Sequence, residues 1–181
     1  MFNKFELIGG SISVFFMALA LYMVQVETTL SKAGPAGQTA QVIDSTGAVV
    51  VGQSANVNQA RTDAYLQAID DQGKFNRMVI DDVKIGTGEE VKSGDTVTVH
   101  YIGTLQNGTE FDNSNKRGEP FSFKVGKGQV IKGWEEGLIG MKIGGQRILV
   151  IPPEKAYGEK GIGPIPGNTT LVFSIELLEI E

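Results

Sequence analysis

The sequence predicts an α+β domain over residues 78–181, an antiparallel β-sheet wrapped around one short α-helix, preceded by a transmembrane helix and a flexible linker. Three observations carry this. Seventeen of the 24 glycines lie between Gly86 and Gly167, often in turn-like pairs, which marks a turn-rich β domain. Several stretches alternate apolar and polar residues with the period of two expected of strands. One stretch, Ile131 to Ile139, instead places apolar residues at 131, 134 and 138, the spacing of a short helix buried on one side.

The strands follow in order. MVIDDVKIG (78–86) reads as an opening strand. In DTVTVHYI (95–102), Val97, Val99 and Tyr101 share one face, and Thr96, Thr98 and His100 the other. Asn107-Gly108 is a strong hairpin turn signal. EPFSFKV (119–125) puts Phe121, Phe123 and Val125 on one face. The helix around Trp134 ends near Gly144-Gly145, Gln146 to Ile151 is a strand stopped by Pro152-Pro153, and TTLVFSIELLE (169–179) closes the domain.

The first 77 residues differ. Residues 7–26, LIGGSISVFFMALALYMVQV, carry no charge and are bracketed by Glu6 and Glu27. As a helix they would span about 30 Å, the thickness of a bilayer's hydrocarbon core. A cleaved signal peptide is the alternative, with Ala18-Leu19-Ala20 as the cleavage site, but the apolar run continues beyond it to Val26. A buried core helix is a third reading, opposed by the lack of anything downstream built to cover it. We read an uncleaved single-pass anchor behind a short tail, residues 1–6. Lys4 on one side and Glu27 on the other favour a cytoplasmic N-terminus and a main domain outside the cytoplasm, in a periplasm or at the cell surface. Residues 27–77 are rich in Gln, Ser, Thr, Ala, Asn and Gly and read as a linker, flexible at least over 27–60. RTDAYLQAIDDQ (61–72) suggests a short helix, either packed on the domain or transient within the linker.

Composition narrows the function. The net charge of -5 argues against a nucleic-acid partner. There is no cysteine, which removes disulfides, thiolate metal sites and cysteine nucleophiles. His100 is the single histidine and alternates away from Tyr101, so it reads as a surface or structural residue, and no metal or cofactor is expected. Gly126-Lys127-Gly128 is too short and wrongly placed for a phosphate loop, and Glu135-Glu136 reads as a solvated helix face. What remains is a concentration of aromatic residues (Tyr101, Phe111, Phe121, Phe123, Trp134, Tyr157, Phe173) with Val130, Ile131 and one carboxylate, Asp112, among them. An aromatic bowl with one acid suits chemistry that needs neither proton transfer nor covalent attack.

The strings HYIGTLQNGTEFDNS, PFSFKVGKGQVIKGWEEGLIGMKIGGQR and IPPEKAYGEKGIGPIPGNTTLVFSIELLEI resemble the FKBP-type peptidyl-prolyl cis-trans isomerases, the macrolide-binding immunophilins, across essentially all of 78–181 and none of 1–77. The resemblance implies a rotamase assisting protein folding, with Xaa-Pro polypeptides as partners and FK506- or rapamycin-type macrolides as ligands. It implies catalytic roles for Tyr101, Asp112, Tyr157 and Phe173, and substrate binding by Phe111, Phe121, Val130, Ile131, Trp134 and Ile165, with Trp134 as the pocket floor. The chain departs from the family pattern at the rim. The loop after Tyr157 is one residue shorter than the commonest form, Ile162 stands where many members have histidine, and Gln129 where the best-known have glutamate. These departures bear on macrolide affinity and substrate preference.

The chemistry fits the residues. Rotation about an Xaa-Pro bond meets a barrier of about 18–20 kcal/mol, while the isomers differ by only about 0.5–1 kcal/mol. No bond breaks, so a catalyst need only bind the twisted amide better than either planar form. The twisted amide has lost its resonance and its carbonyl carries less charge, which favours a dry aromatic pocket. Tyr157 and the Ile131 backbone N–H are candidate donors to the substrate backbone, and Asp112 is a candidate partner of Tyr101 or of the twisted carbonyl. The bland readings are ordinary core for Trp134, Phe123 and Phe173, adopted for Phe123, and a turn cap with Asn113 and Ser114 for Asp112. A binding module or general chaperone with little turnover is the alternative function.

Overall fold

Ile148-Leu149-Val150-Ile151 is apolar at every position, which requires a strand covered on both faces. The computed structural model, which describes residues 42–43, 48–51 and 57–181, is organised around that strand. In chain order its elements are β1 (Val42–Ile43), β2 (Ala48–Val51), α1 (Val57–Gln67), β3 (Val79–Lys84), β4 (Thr96–Leu105), β5 (Glu110–Asn113), α2 (Ser114–Arg117), β6 (Phe121–Lys124), α3 (Lys132–Gly137), β7 (Gln146–Ile151) and β8 (Leu171–Ile180). The sheet runs β1-β2-β3-β7-β8-β4, and the far edge of β4 is shared by β6, opposite 96–99, and β5, opposite 102–104. Every pairing is antiparallel except β2 on β3, which is parallel. Within residues 78–181 the sheet is antiparallel throughout, as expected, and the parallel pairing is added by β2 from the stretch before that domain.

Side-chain alternation sorts the core into two layers. Leu149 and Ile151 of β7 join Ile80, Val97, Val99, Leu171, Phe173 and Ile175 around α3, which contributes Trp134 and is followed by buried Leu138. Ile148 and Val150 point to the other face, where they meet Val79, Ala64, Tyr65, Ala68 and Phe75. The folded unit therefore begins before residue 78, which sequence places as its start. In place of a helix at 61–72, α1 runs Val57–Gln67 and a turn follows. Asp70 builds that turn, its carboxylate accepting the Gln72 and Lys74 N–H groups at 2.9 and 2.8 Å. The turn returns Phe75 to Tyr65, ring edge to ring face, at 6.3 Å. The last part of the stretch read as linker is thus packed, because it covers apolar residues of β3 and β7 on the face away from α3.

Two ion pairs fasten the layers. Arg61 of α1 reaches Asp81 of β3 at 3.2 Å, with the Asp81 side chain only 2 % exposed. Burial raises the Asp81 pKa above the ordinary carboxylate range, against the lowering effect of Arg61. Arg147 of β7 grips Asp82 with two bonds of 2.7 and 2.9 Å and donates to the Gly137 and Ile139 carbonyls at 2.7 and 3.1 Å. That fork fixes the C-terminal end of α3 against the sheet, and so fixes Trp134. Residues 7–26 lie outside the described residues, and among the described residues no helix is long and apolar enough to cross a membrane.

Candidate active site

Trp134 lies on the buried side of α3, 4 % exposed, and its ring is the centre of an aromatic box. Tyr101 of β4 stands edge-on to it at 5.1 Å, Phe173 of β8 at 5.2 Å and Phe121 of β6 at 6.2 Å. Such perpendicular contacts match the ring quadrupoles and fix the rings more firmly than apolar area alone. Phe111 of β5 stands perpendicular to Phe173 at 5.6 Å. Gly103 makes this approach possible, since it pairs with Phe173 across β4 and β8 and any Cβ there would come within 2.9 Å of both rings. Phe123 packs beneath, stacked on Phe121 at 5.6 Å and only 4 % exposed, an ordinary core residue. The Trp134 indole Nε1 is buried without a hydrogen-bond partner among the described residues.

Above this floor lies a cavity of about 190 Å³. It is smaller than a site for a whole drug-sized ligand, ~300–1,000 Å³, and suits a single small ring. Tyr101, Phe111, Phe121, Trp134 and Phe173 line it, together with Asp112, Val130, Ile131, Tyr157 and Gln129. Nine of the ten residues singled out by sequence thus meet at one cavity. Ile165 does not line it. The residue is 6 % exposed in the main core, and its backbone pairs with Ile162 through bonds of 3.0 and 2.8 Å, closing a tight turn over Gly163-Pro164 with Ile162 exposed beside it.

One edge of the cavity is polar. The Tyr101 hydroxyl donates to the Asp112 carboxylate, Arg117 forms an ion pair with that carboxylate, and Arg117 also donates to the Tyr101 hydroxyl at 3.0 Å. Arg117 lies 5.5 Å from the centre of the Tyr101 ring. Burial raises the Tyr101 pKa, and its bond to Asp112 adds to this against Arg117, so the phenol keeps its proton. Tyr157, 36 % exposed at the rim, is likewise raised, mainly by burial and also by the Asp112 charge. Asn113, not Asp112, caps the following turn, accepting from the Asn115 and Lys116 N–H groups at 3.0 and 3.3 Å. Fully buried Ser114 ties this turn to β4, accepting the Tyr101 N–H at 2.8 Å and contacting His100 Nδ1 at 3.0 Å.

Sequence reasoning missed Arg117, and it named Gln129 only as a departure at the rim. The signal for Arg117 was faint. It lies five residues beyond Asp112, and only the turn capped by Asn113 brings it back. Glu135 and Glu136 are corrected from a solvated face. Glu135 accepts backbone N–H groups of the neighbouring loop, and Glu136 pairs with Lys155. Among the described residues no cluster of His, Cys, Asp or Glu has the makings of a metal site.

A family model for the FKBP-type peptidyl-prolyl cis-trans isomerases matches residues 87–178, just over half the chain. The chain belongs to this family. Its FKBP domain is 61 % identical over 104 residues to FK506-binding protein 4 of Gibberella zeae, a match covering 58 % of this chain and 21 % of that relative. It is 62 % identical over 89 residues to FK506-binding protein 2 of Emericella nidulans, covering 49 % of this chain and 66 % of the relative. The chain thus spans about a fifth of the first relative's length. Among solved structures, FkpA from Escherichia coli is 41 % identical with a TM-score of 0.55, covering 70 % of this chain and 67 % of that one. AtFKBP13 is 37 % identical with a TM-score of 0.55, covering 63 % of this chain and 98 % of that one.

Proposed function

We propose that the protein is a peptidyl-prolyl cis-trans isomerase that assists protein folding by non-covalent catalysis. The observation that carries this is the box of perpendicular rings on Trp134 with the Tyr101–Asp112–Arg117 cluster along one edge. The apolar floor grips the proline ring. A dry wall beside it favours the twisted amide, whose carbonyl has lost charge, over the planar forms. Asp112 holds the Tyr101 ring in place through its hydroxyl, and Arg117 balances the carboxylate's charge so that the wall presents no bare anion. The Tyr157 hydroxyl and the Ile131 N–H donate to the substrate backbone on either side of the reacting bond. Phe173 and Phe111 close the far wall.

The ligands are Xaa-Pro polypeptides, and FK506-type macrolides compete for the same floor. Residues 7–26 anchor the chain in a membrane, with the domain on the extracytoplasmic side; the uncharged run and the placement of Lys4 and Glu27 support this. Retention of the full chain in the membrane fraction after alkaline wash is the expected result, and release of a shortened soluble form would refute it.

The test of activity is cis-to-trans isomerisation of a short Leu-Pro or Phe-Pro peptide by residues 57–181, with and without rapamycin. Catalysis blocked by the macrolide is expected. Asp112→Val and Phe173→Tyr should each lower turnover with circular dichroism unchanged. Unaltered turnover in both would overturn the site, and binding without catalysis would make the domain a proline-peptide binding module.

A further inference from the structure

We propose that Glu135 is a positioning residue for the cavity: it holds, from both ends, the loop that carries Gln129, Val130 and Ile131. The proposal rests on the isomerase reading of the same cavity. Gly126 and Gly128 have φ of +80° and +67°, a left-handed geometry that turns their N–H groups toward a common concave side. The Glu135 carboxylate occupies that concavity, one oxygen accepting the Gly126 N–H and the other the Gly128 N–H at 2.8 Å. The positive φ at Gly126 strains any other residue there, and a Cβ would also come within 2.5 Å of the Ser93 hydroxyl.

The backbone of Glu135 holds the other end, its N–H donating to the Ile131 carbonyl at 3.2 Å. Glu135 directly follows Trp134, so the floor and this wall are tied through one residue. Gln129 adds a cross-brace, its side-chain oxygen accepting the Lys124 N–H at 2.8 Å. Val130 and Ile131 are only half-buried, and besides their packing on the core the Trp134 N–H donates to the Ile131 carbonyl at 2.9 Å, so Glu135 adds the hold on the loop's other end. Glu135 itself does not line the cavity. Its effect on catalysis is through the wall, whose displacement by an ångström is enough to lower a rate substantially.

The test compares the full chain with its E135A and E135Q variants, reading amide hydrogen exchange and isomerisation of a Leu-Pro peptide. In E135A the Gly126 and Gly128 amides should exchange at least about tenfold faster, while the Val125 amide, bonded to the Asp95 carbonyl at 2.9 Å, stays protected. The kcat/KM should fall about tenfold, with KM carrying most of the change because the wall serves both ground and transition states. E135Q keeps one acceptor oxygen and should recover to within about threefold of the parent. Faster exchange with kcat/KM unchanged would make Glu135 merely structural and overturn the proposal, as would unchanged exchange or a glutamine no better than alanine. If the parent chain itself shows no turnover, the isomerase reading fails on its own. The peptide's Kd then replaces kcat/KM, and an unchanged Kd in E135A overturns the positioning role.

Discussion

Phe75→Ala should destabilise the protein by about 3–5 kcal/mol while leaving isomerisation untouched. Phe75 is 4 % exposed and packs with Tyr65, Val79, Ile148 and Val150 on the face of the sheet opposite the cavity. A buried phenylalanine removes ~150–250 Å² from water, worth about 4–6 kcal/mol at ~25 cal/mol per Å² as an upper bound. Measured Phe→Ala losses of about 3–5 kcal/mol include the cavity left behind. The perpendicular contact with Tyr65 accounts for about 0.5–1.5 kcal/mol of this. Guanidinium denaturation reads the loss as a lower midpoint at constant slope. The kcat/KM of native protein for a Leu-Pro peptide should match the parent, because Leu149 and Ile151, which face the cavity layer, are untouched. A loss below about 1 kcal/mol would refute the reasoning and return residues 61–77 to the status of a linker.

Tyr101→Phe removes the hydroxyl shared by Asp112 and Arg117; kcat/KM should fall about tenfold in the peptide assay, as expected for losing a bond to a charged group. The pH profile of kcat/KM should be flat from about pH 6 to about pH 9. Tyr101 and Tyr157 are both raised from the ordinary phenol value, so their protons leave only above that range, and a fall at mildly alkaline pH would contradict their roles as donors. Asp81 predicts a pH-dependent stability. Its folded-state pKa is raised, so its contribution is fully present below the unfolded value near ~3.9 and is lost as pH rises through the folded one. Asp81→Asn should remove that slope from urea denaturation measured across the acid range.

The strands were legible because their alternation survives in the sequence. Val97, Val99 and Tyr101 are buried while Thr96, Thr98 and His100 are half-buried, as the period of two requires. Asn107-Gly108 likewise marks the β4–β5 turn, where the Gly108 N–H returns to the Leu105 carbonyl at 2.9 Å. The aromatic box was legible as a set of motifs. Its polar edge was only half legible, because Arg117 reaches Tyr101 through a turn held by the side chains of Asn113 and Ser114. Ile165 was assigned to the cavity by motif, and the hairpin it forms with Ile162 draws it into the core instead.

The packed extension, which sequence left open between a packed and a transient helix, was half legible for a different reason. On α1 and just beyond it the contacts are made by Ala64, Tyr65 and Ala68, two of them too small to stand out as an apolar stripe, and small residues are what let a helix lie close to a sheet. The clue lay in β7. Four consecutive apolar residues from Ile148 to Ile151 cannot belong to a sheet with one face in water. One helix, around Trp134, accounts for Leu149 and Ile151 but leaves Ile148 and Val150 exposed. A second cover was therefore required, and the only stretch left to provide it lies before residue 78. The two faces of the sheet consequently serve different ends. One builds the aromatic cavity, and the other fastens the segment that joins the domain to the rest of the chain.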